Sequence, residues 1–189
     1  MNQRKKVLVH VCCAPCSTHV FRALKEDGYE IVGFFYNPNI HGEKEYKKRL
    51  KSVKAWSRIE KIKIITPRYN MNEYFNAIMD YEKKHHREIE KDKKRRCQVC
   101  FALRLKKTAL AAKKEKFDYF TTTLLISPFQ DQSLLWQIGS DAGIEAGVDF
   151  LFKDFRKGYV ASRHLSRSNK LYMQNYCGCV YSIDEKKNI

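Results

Sequence analysis

Lys6-Val7-Leu8-Val9-His10-Val11-Cys12-Cys13-Ala14-Pro15-Cys16 is the stretch that decides the fold. An apolar, β-branched run leads without a break into three thiols, and the residues from about Ser17 to Glu26 then follow helical spacing. A short continuous apolar run of this kind reads as a buried central strand. The helix after it stops at Asp27-Gly28, a usual C-terminal signal. Met1 to Lys6 is basic and precedes an apolar run, as a secretory leader would. The run is too short for a leader, however, and it contains a histidine.

The alternation continues outward from this unit. Glu30 to Tyr36 reads as a second strand closed by Asn37-Pro38-Asn39, and Glu43 to Ile59 as a helix. Lys63 to Thr66 is a third strand, and Asn72 to about Glu82 is helical. The next helix is expected to open at Cys97, and Phe117 to Thr123 to form a fourth strand. A helix from about Gln132 to Ala146, a short strand Val148 to Phe152 and a helix around Ser166 to Asn175 complete the reading. Alternating strands and helices predict one α/β domain over residues 1–189, built on a mostly parallel, doubly wound sheet with an irregular, cysteine-containing C-terminal segment. Such folds place their chemistry at the carboxyl ends of the strands. Cys12 and Cys13 stand there after strand one, and Thr121 to Thr123 and Ser127 after strand four.

The seven cysteines fall into three groups: Cys12-Cys13-Ala14-Pro15-Cys16, Cys97-Gln98-Val99-Cys100 and Cys177-Gly178-Cys179. Cross-linking thiols of secreted domains are usually spread out, whereas thiols that serve one metal, cluster or redox pair come close together. With 43% hydrophobic residues in 189, the chain has enough apolar surface to build a core without disulfide staples. No run approaches the length of a membrane span. The expected location is the cytoplasm, where paired cysteines read as metal-binding or catalytic.

Cys97 and Cys100, three apart at an expected helix start, would project from one face. The helix N-terminus and the neighbouring Lys and Arg residues should lower their thiol pKa. With Cys12 and Cys13 they make four sulfur ligands, sufficient for a tetrahedral zinc or an iron–sulfur cluster. Cys177 and Cys179 flank a glycine, so they can either ligate different atoms or form a strained, readily reduced disulfide. Cys16 is left over, as a further thiol or as a small apolar residue on the first helix. His10 reads as a packed strand residue and His85-His86 as solvated. Asp154-Phe155-Arg156 and Ser162-Arg163 are placed either to contact a substrate or to face water. Tyr36, Tyr46, Phe129, Tyr159 and Tyr176 are either core aromatics or base-stacking groups.

The charge is uneven. Lys plus Arg number 37 against 21 acidic residues, a net +16. Lys83-Lys84-His85-His86-Arg87 and Lys91 to Arg96 run directly into Cys97. Such a field favours a polyanionic partner, most commonly nucleic acid.

In His10 to Ser17, Tyr36 to Ile40, Glu45-Tyr46, Arg96 to Cys100 with Arg104-Leu105, Phe120 to Pro128, Asp154 to Arg156 and Tyr176 to Cys179, the sequence resembles the QueH-type epoxyqueuosine reductases. The segments span nearly the whole chain in one order. The resemblance implies an adenine-nucleotide-hydrolase-like core, and Cys-Cys-Ala-Pro-Cys replaces the phosphate loop of ATP-using relatives. It implies reduction of the epoxide of epoxyqueuosine to the alkene of queuosine in tRNA, with release of water. It also implies that Cys12, Cys13, Cys97 and Cys100 hold a four-iron, four-sulfide (4Fe–4S) cluster, and that Cys177 and Cys179 form a redox-active disulfide. Beside these stand two further expectations: Asp154 close to the metal, helping to bind a second, mononuclear iron or to supply a proton, and an electron donor the sequence does not identify. The competing readings are a non-catalytic, zinc-stabilised RNA-binding module, a thiol oxidoreductase acting on proteins and a tRNA-thiolating enzyme on the same core.

Overall fold

The computed structural model of the chain describes residues 4–187, so Met1 to Gln3 of the basic N-terminal stretch lie outside it. Five strands form one sheet: β1 (Lys6–His10), β2 (Glu30–Phe34), β3 (Ile64–Ile65), β4 (Tyr119–Thr122) and β5 (Asp149–Phe150). Their order is β3-β2-β1-β4-β5 and every pairing is parallel. Val7, Leu8 and Val9 are fully buried, which is why this segment carries apolar residues on both faces of the pleat. At the end of β1, His10 stands opposite Phe34 of β2 and Thr122 of β4.

The helices are α1 (Ala14–Glu26), α2 (Glu43–Ile59), α3 (Asn72–His85), α4 (Lys93–Lys114), α5 (Gln132–Ala146), α6 (Tyr159–Ser168) and α7 (Val180–Lys187). α1 packs against α2 and α6, and α4 packs against α5 and α3. The doubly wound core expected from the sequence is the one observed. Chain order reverses between β1 and β4, and the crossovers between parallel strands put helices against the sheet and open a crevice at the strand ends.

Several boundaries differ from expectation. The third, fourth and fifth strands are shorter than their apolar runs: β3 pairs only with Gly33 and Phe34 of β2, β4 with Val7 to His10 of β1, and β5 only with Tyr119 and Phe120 of β4. α4 begins at Lys93, one turn before Cys97, since the carboxylate of Asp92 accepts from the backbone N–H of Arg95 and caps it there. The late helix runs over Tyr159–Ser168, and residues 169–176 are irregular. It lies against α1 at Gly158, where a Cβ would collide with the ring of His19.

Candidate metal centre

Cys12 and Cys13 leave β1 at the point where the sheet reverses direction. The backbone N–H of Cys12 donates to Thr123 Oγ1 of the β4 exit at 3.0 Å, which ties the two strand ends together. Cys13 is the extended N-cap of α1 (φ −166°), and Pro15 fits the first turn because its missing N–H costs no helical bond. The cap sets Cys13 and Cys16 three residues apart on one face. The sulfurs of Cys12, Cys13 and Cys16 all lie within 4.8 Å of one another, a group able to hold a metal ion. Cys16, left over in the sequence reading, therefore belongs to the site. Hydrogen bonds from Cys13 and Cys16 hold the Cys12 thiol well below its ordinary pKa, and the Thr123 hydroxyl, 3.2 Å from its sulfur, adds to the effect. The shared proton pushes Cys13 up to about 12 and Cys16 upward as well. Cys12 is thus the thiol of the three that ionises first.

Cys97 and Cys100 sit in the second turn of α4. Burial pushes Cys97 up to about 11 and raises Cys100 too, against the lowering expected from a helix start. The first turn of α4 is spent before Cys97, so the effect of the helix end has faded there while desolvation remains. What favours a thiolate here is Arg104, one turn further on. Its guanidinium is 2% exposed, lies 3.4 Å from the Cys100 sulfur and has no carboxylate partner among the described residues. Its Nε is 3.3 Å from Nε2 of His10. His10 is a packed residue, as expected: Nδ1 is 2.8 Å from Thr122 Oγ1 and Nε2 is 3.2 Å from the carbonyl oxygen of Tyr36. Burial, then the Arg104 charge, push its pKa down to about 3, so the ring is neutral.

The third thiol group is fixed by a buried arginine. Arg49 pairs with Glu45 at 2.7 Å and donates to the carbonyl oxygens of Cys177 (2.8 Å) and Tyr176 (3.2 Å). His41 completes the clamp, its backbone N–H donating to the carbonyl of Gly178 and its Nδ1 accepting from the N–H of Val180. Gly178 has φ +126°, and a Cβ there would stand 3.1 Å from both Arg49 and Ile40, so the glycine is required. Cys177 and Cys179 are free thiols.

Two cavities adjoin at this loop. One, of about 280 Å³, is lined by Cys97, Cys100, Cys177 and Cys179. The other, of about 400 Å³, is lined by Cys12, Cys16 and Cys177, with Arg104 in its wall. Cys177, Phe129, Gln130, Asn175 and Tyr176 belong to both. Six of the seven cysteines thus line one continuous crevice, with Cys13 buried beneath it. A four-iron cluster spreads its ligands over its own corners, further apart than the ligands of a single ion. The group at Cys12, Cys13 and Cys16 is therefore spaced for a single ion, and a cluster would draw on sulfurs from more than one of the three thiol groups. The donor set fits a thiolate-ligated, anionic centre, which would add to the counter-charge that the Cys12 and Cys100 sulfurs offer the buried guanidinium of Arg104.

The remaining candidates separate. Tyr36 and Tyr46 are buried, whereas Phe129 is 79% exposed at the mouth of both cavities and Tyr159 and Tyr176 are half-buried beside it. His85 and His86 are exposed, as are Lys83, Lys84, Arg87, Lys91 and Lys94, while Lys93 and Arg96 line the smaller cavity. Asp154 lines neither cavity. It lies half-exposed after β5 in a two-pronged pair with Arg156 (2.6 Å and 2.9–3.0 Å), which holds its carboxyl down at about 2. No helix among the described residues is long and apolar enough to cross a membrane.

A protein-family model described as epoxyqueuosine reductase QueH matches residues 7–185. Over 182 residues the chain is 36% identical to an epoxyqueuosine reductase QueH of Dehalococcoides mccartyi, covering 96% of this chain and 94% of that one. Over 186 residues it is 35% identical to the protein of the same name from Thermotoga maritima, covering 96% and 92%. Among solved structures it is similar to a predicted subunit of tRNA methyltransferase from Methanocaldococcus jannaschii, with a TM-score of 0.53 and 15% identity over 86% of this chain and 74% of that one. The last likeness bears on the fold alone.

Proposed function

The chain belongs to the epoxyqueuosine reductase QueH family, and from that membership we propose that it reduces epoxyqueuosine at the tRNA wobble position to queuosine, the last step of queuosine formation. The observation that carries the reading is the crevice in which six thiols from three distant segments meet around a buried guanidinium.

Removal of the epoxide oxygen as water breaks two C–O bonds, forms the alkene and consumes two electrons and two protons. Two thiols that join as one disulfide release the same numbers. Cys177 and Cys179 take this part: the epoxide and the dithiol give alkene, water and disulfide, which an external electron donor then reduces. A 4Fe–4S cluster, when bound by Cys12, Cys13, Cys97 and Cys100, supplies electrons singly. Arg49 and His41 hold the thiol loop against the crevice, and Arg104 balances negative charge within it. The role of Asp154, toward a second, mononuclear iron or as a proton source, requires its pair with Arg156 to open. Unchanged iron content and turnover in Asp154→Asn would remove that role. Exposed lysines and arginines grip the phosphates that flank the wobble nucleotide, and a tRNA substrate places the reaction in the cytoplasm.

The test is anaerobic incubation with tRNA carrying epoxyqueuosine, followed by digestion and mass analysis of the nucleosides. Queuosine is the expected product, lost in Cys177→Ser and Cys179→Ser. A zinc-stabilised RNA-binding module would use the same thiol group at Cys12, Cys13 and Cys16, and it would bind the tRNA and leave the epoxide intact.

A further inference from the structure

The cavity that contains Cys12 and Cys16 is also lined by three residues whose amide oxygens are buried and have no hydrogen-bond partner. These oxygens are Oδ1 of Asn37, Oδ1 of Asn39 and Oε1 of Gln174. Asn37 and Asn39 are each 2% exposed. Asn37 spends its amide N–H on the carbonyl of Val11 at 2.9 Å, which fixes the orientation of the group and leaves its oxygen unmatched. Buried polar atoms are paired in the great majority of native structures, so several unpaired acceptors in one cavity point to a ligand that brings donors. The two asparagines follow the carboxyl end of β2, next to the point where the sheet reverses, where ligands of such sheets bind.

We propose that Asn37, Asn39 and Gln174 form the seat for the hydroxylated ring of the modified base, and so determine which nucleoside the enzyme accepts. The inference rests on the reading under Proposed function and names the residues that make the choice. Ring hydroxyls donate to the amide oxygens, while an epoxide oxygen only accepts and has no bond to make with them. The same contacts therefore hold the ring by its hydroxyls and leave the epoxide for Cys12, Cys177 and Arg104, which line the same cavity. A site built on such contacts rejects a base without the hydroxyls, because its buried acceptors then stay unpaired.

The experiment measures affinity for two anticodon stem-loop RNAs that differ only at the wobble base. One carries queuosine, which has the dihydroxylated ring. The other carries the 7-aminomethyl-7-deazaguanine precursor, which lacks it. The natural protein binds the queuosine loop more tightly. Asn39→Ala, which forfeits no hydrogen bond within the chain, weakens that loop about tenfold, the loss of roughly one buried hydrogen bond, and leaves the precursor loop within about twofold. Gln174→Leu, on the half-buried edge of the cavity, repeats the pattern and decides the matter if Asn39→Ala does not fold. Retained discrimination in the variants, or equal weakening of both loops, overturns the inference and leaves the reductase reading standing. A natural protein that neither distinguishes the loops nor converts epoxyqueuosine overturns the reductase reading itself.

Discussion

Arg104→Met should make the metal-free chain more stable and the metal-loaded chain less so. The guanidinium is 2% exposed and has no carboxylate partner among the described residues, so in the metal-free protein its desolvation is offset by hydrogen bonds to His10 and the Cys100 sulfur and by the charge of the nearby Cys12 sulfur. That burial costs several kcal/mol, and an apolar side chain of similar volume typically recovers about 1–4 kcal/mol. Because methionine gives up the hydrogen bonds to His10 and Cys100, the metal-free variant should gain only about 1–2 kcal/mol. Once Cys100 is a thiolate the balance reverses. A unit charge 3.4 Å away contributes about 5 kcal/mol at an effective dielectric near 20. Half of that, after rearrangement, lowers metal affinity by roughly fiftyfold to a hundredfold. Urea unfolding of the reduced, metal-free protein gives the first quantity, and chelator competition for zinc, as a probe of the thiolates, gives the second. Arg104→Lys keeps the charge and should restore part of the affinity. A metal-free variant that loses several kcal/mol while binding zinc as before would show that Arg104 is a packing residue, and the charge argument would fall.

Arg49→Met removes the donors to the Tyr176 and Cys177 carbonyls and leaves the mostly buried Glu45 without its cation, so a loss of about 3–5 kcal/mol is expected. Amide exchange at residues 177–179 should speed up more than exchange in β1, and equal acceleration would show only global destabilisation. His10, with its folded pKa depressed to about 3, contributes stability that is fully present above about pH 6.5 and is lost as pH falls toward 3. Unfolding at pH 4.5 should show about 3 kcal/mol of this loss, absent in the non-titrating His10→Gln. Affinity for tRNA should fall steeply as salt rises, given the net +16, and a flat response would remove the phosphate-gripping role of the basic surface.

The sheet was legible because burial on both faces writes itself into Val7 to Val11 as an unbroken apolar run. The sulfur site was legible because thiols cluster in sequence when they serve one centre. Cys16 was not, although Pro15 marks a first helical turn and so puts Cys13 and Cys16 on one face. The early start of α4 was hidden because Asp92, its cap, sits within a charged run in which any carboxylate reads as solvated. The raised pKa of Cys97 and Cys100 depends on how deeply they are buried, a tertiary fact that local charge does not report. Arg49 and Arg104 look like ordinary members of a basic surface until the fold buries them. Asn39 shows in the sequence only as the close of a strand and as a member of the Tyr36 to Ile40 segment that carries the family resemblance.

Whether these thiols serve an iron-dependent reduction is decided on one anaerobic preparation assayed for iron, zinc, acid-labile sulfide and conversion of epoxyqueuosine in tRNA. About four irons per chain with matching sulfide, together with formation of queuosine, is the expected result, and iron in excess of sulfide would indicate the second, mononuclear site. Zinc near one per chain without sulfide, and an epoxide left intact, would contradict the account and leave a zinc-bound RNA-binding protein in its place.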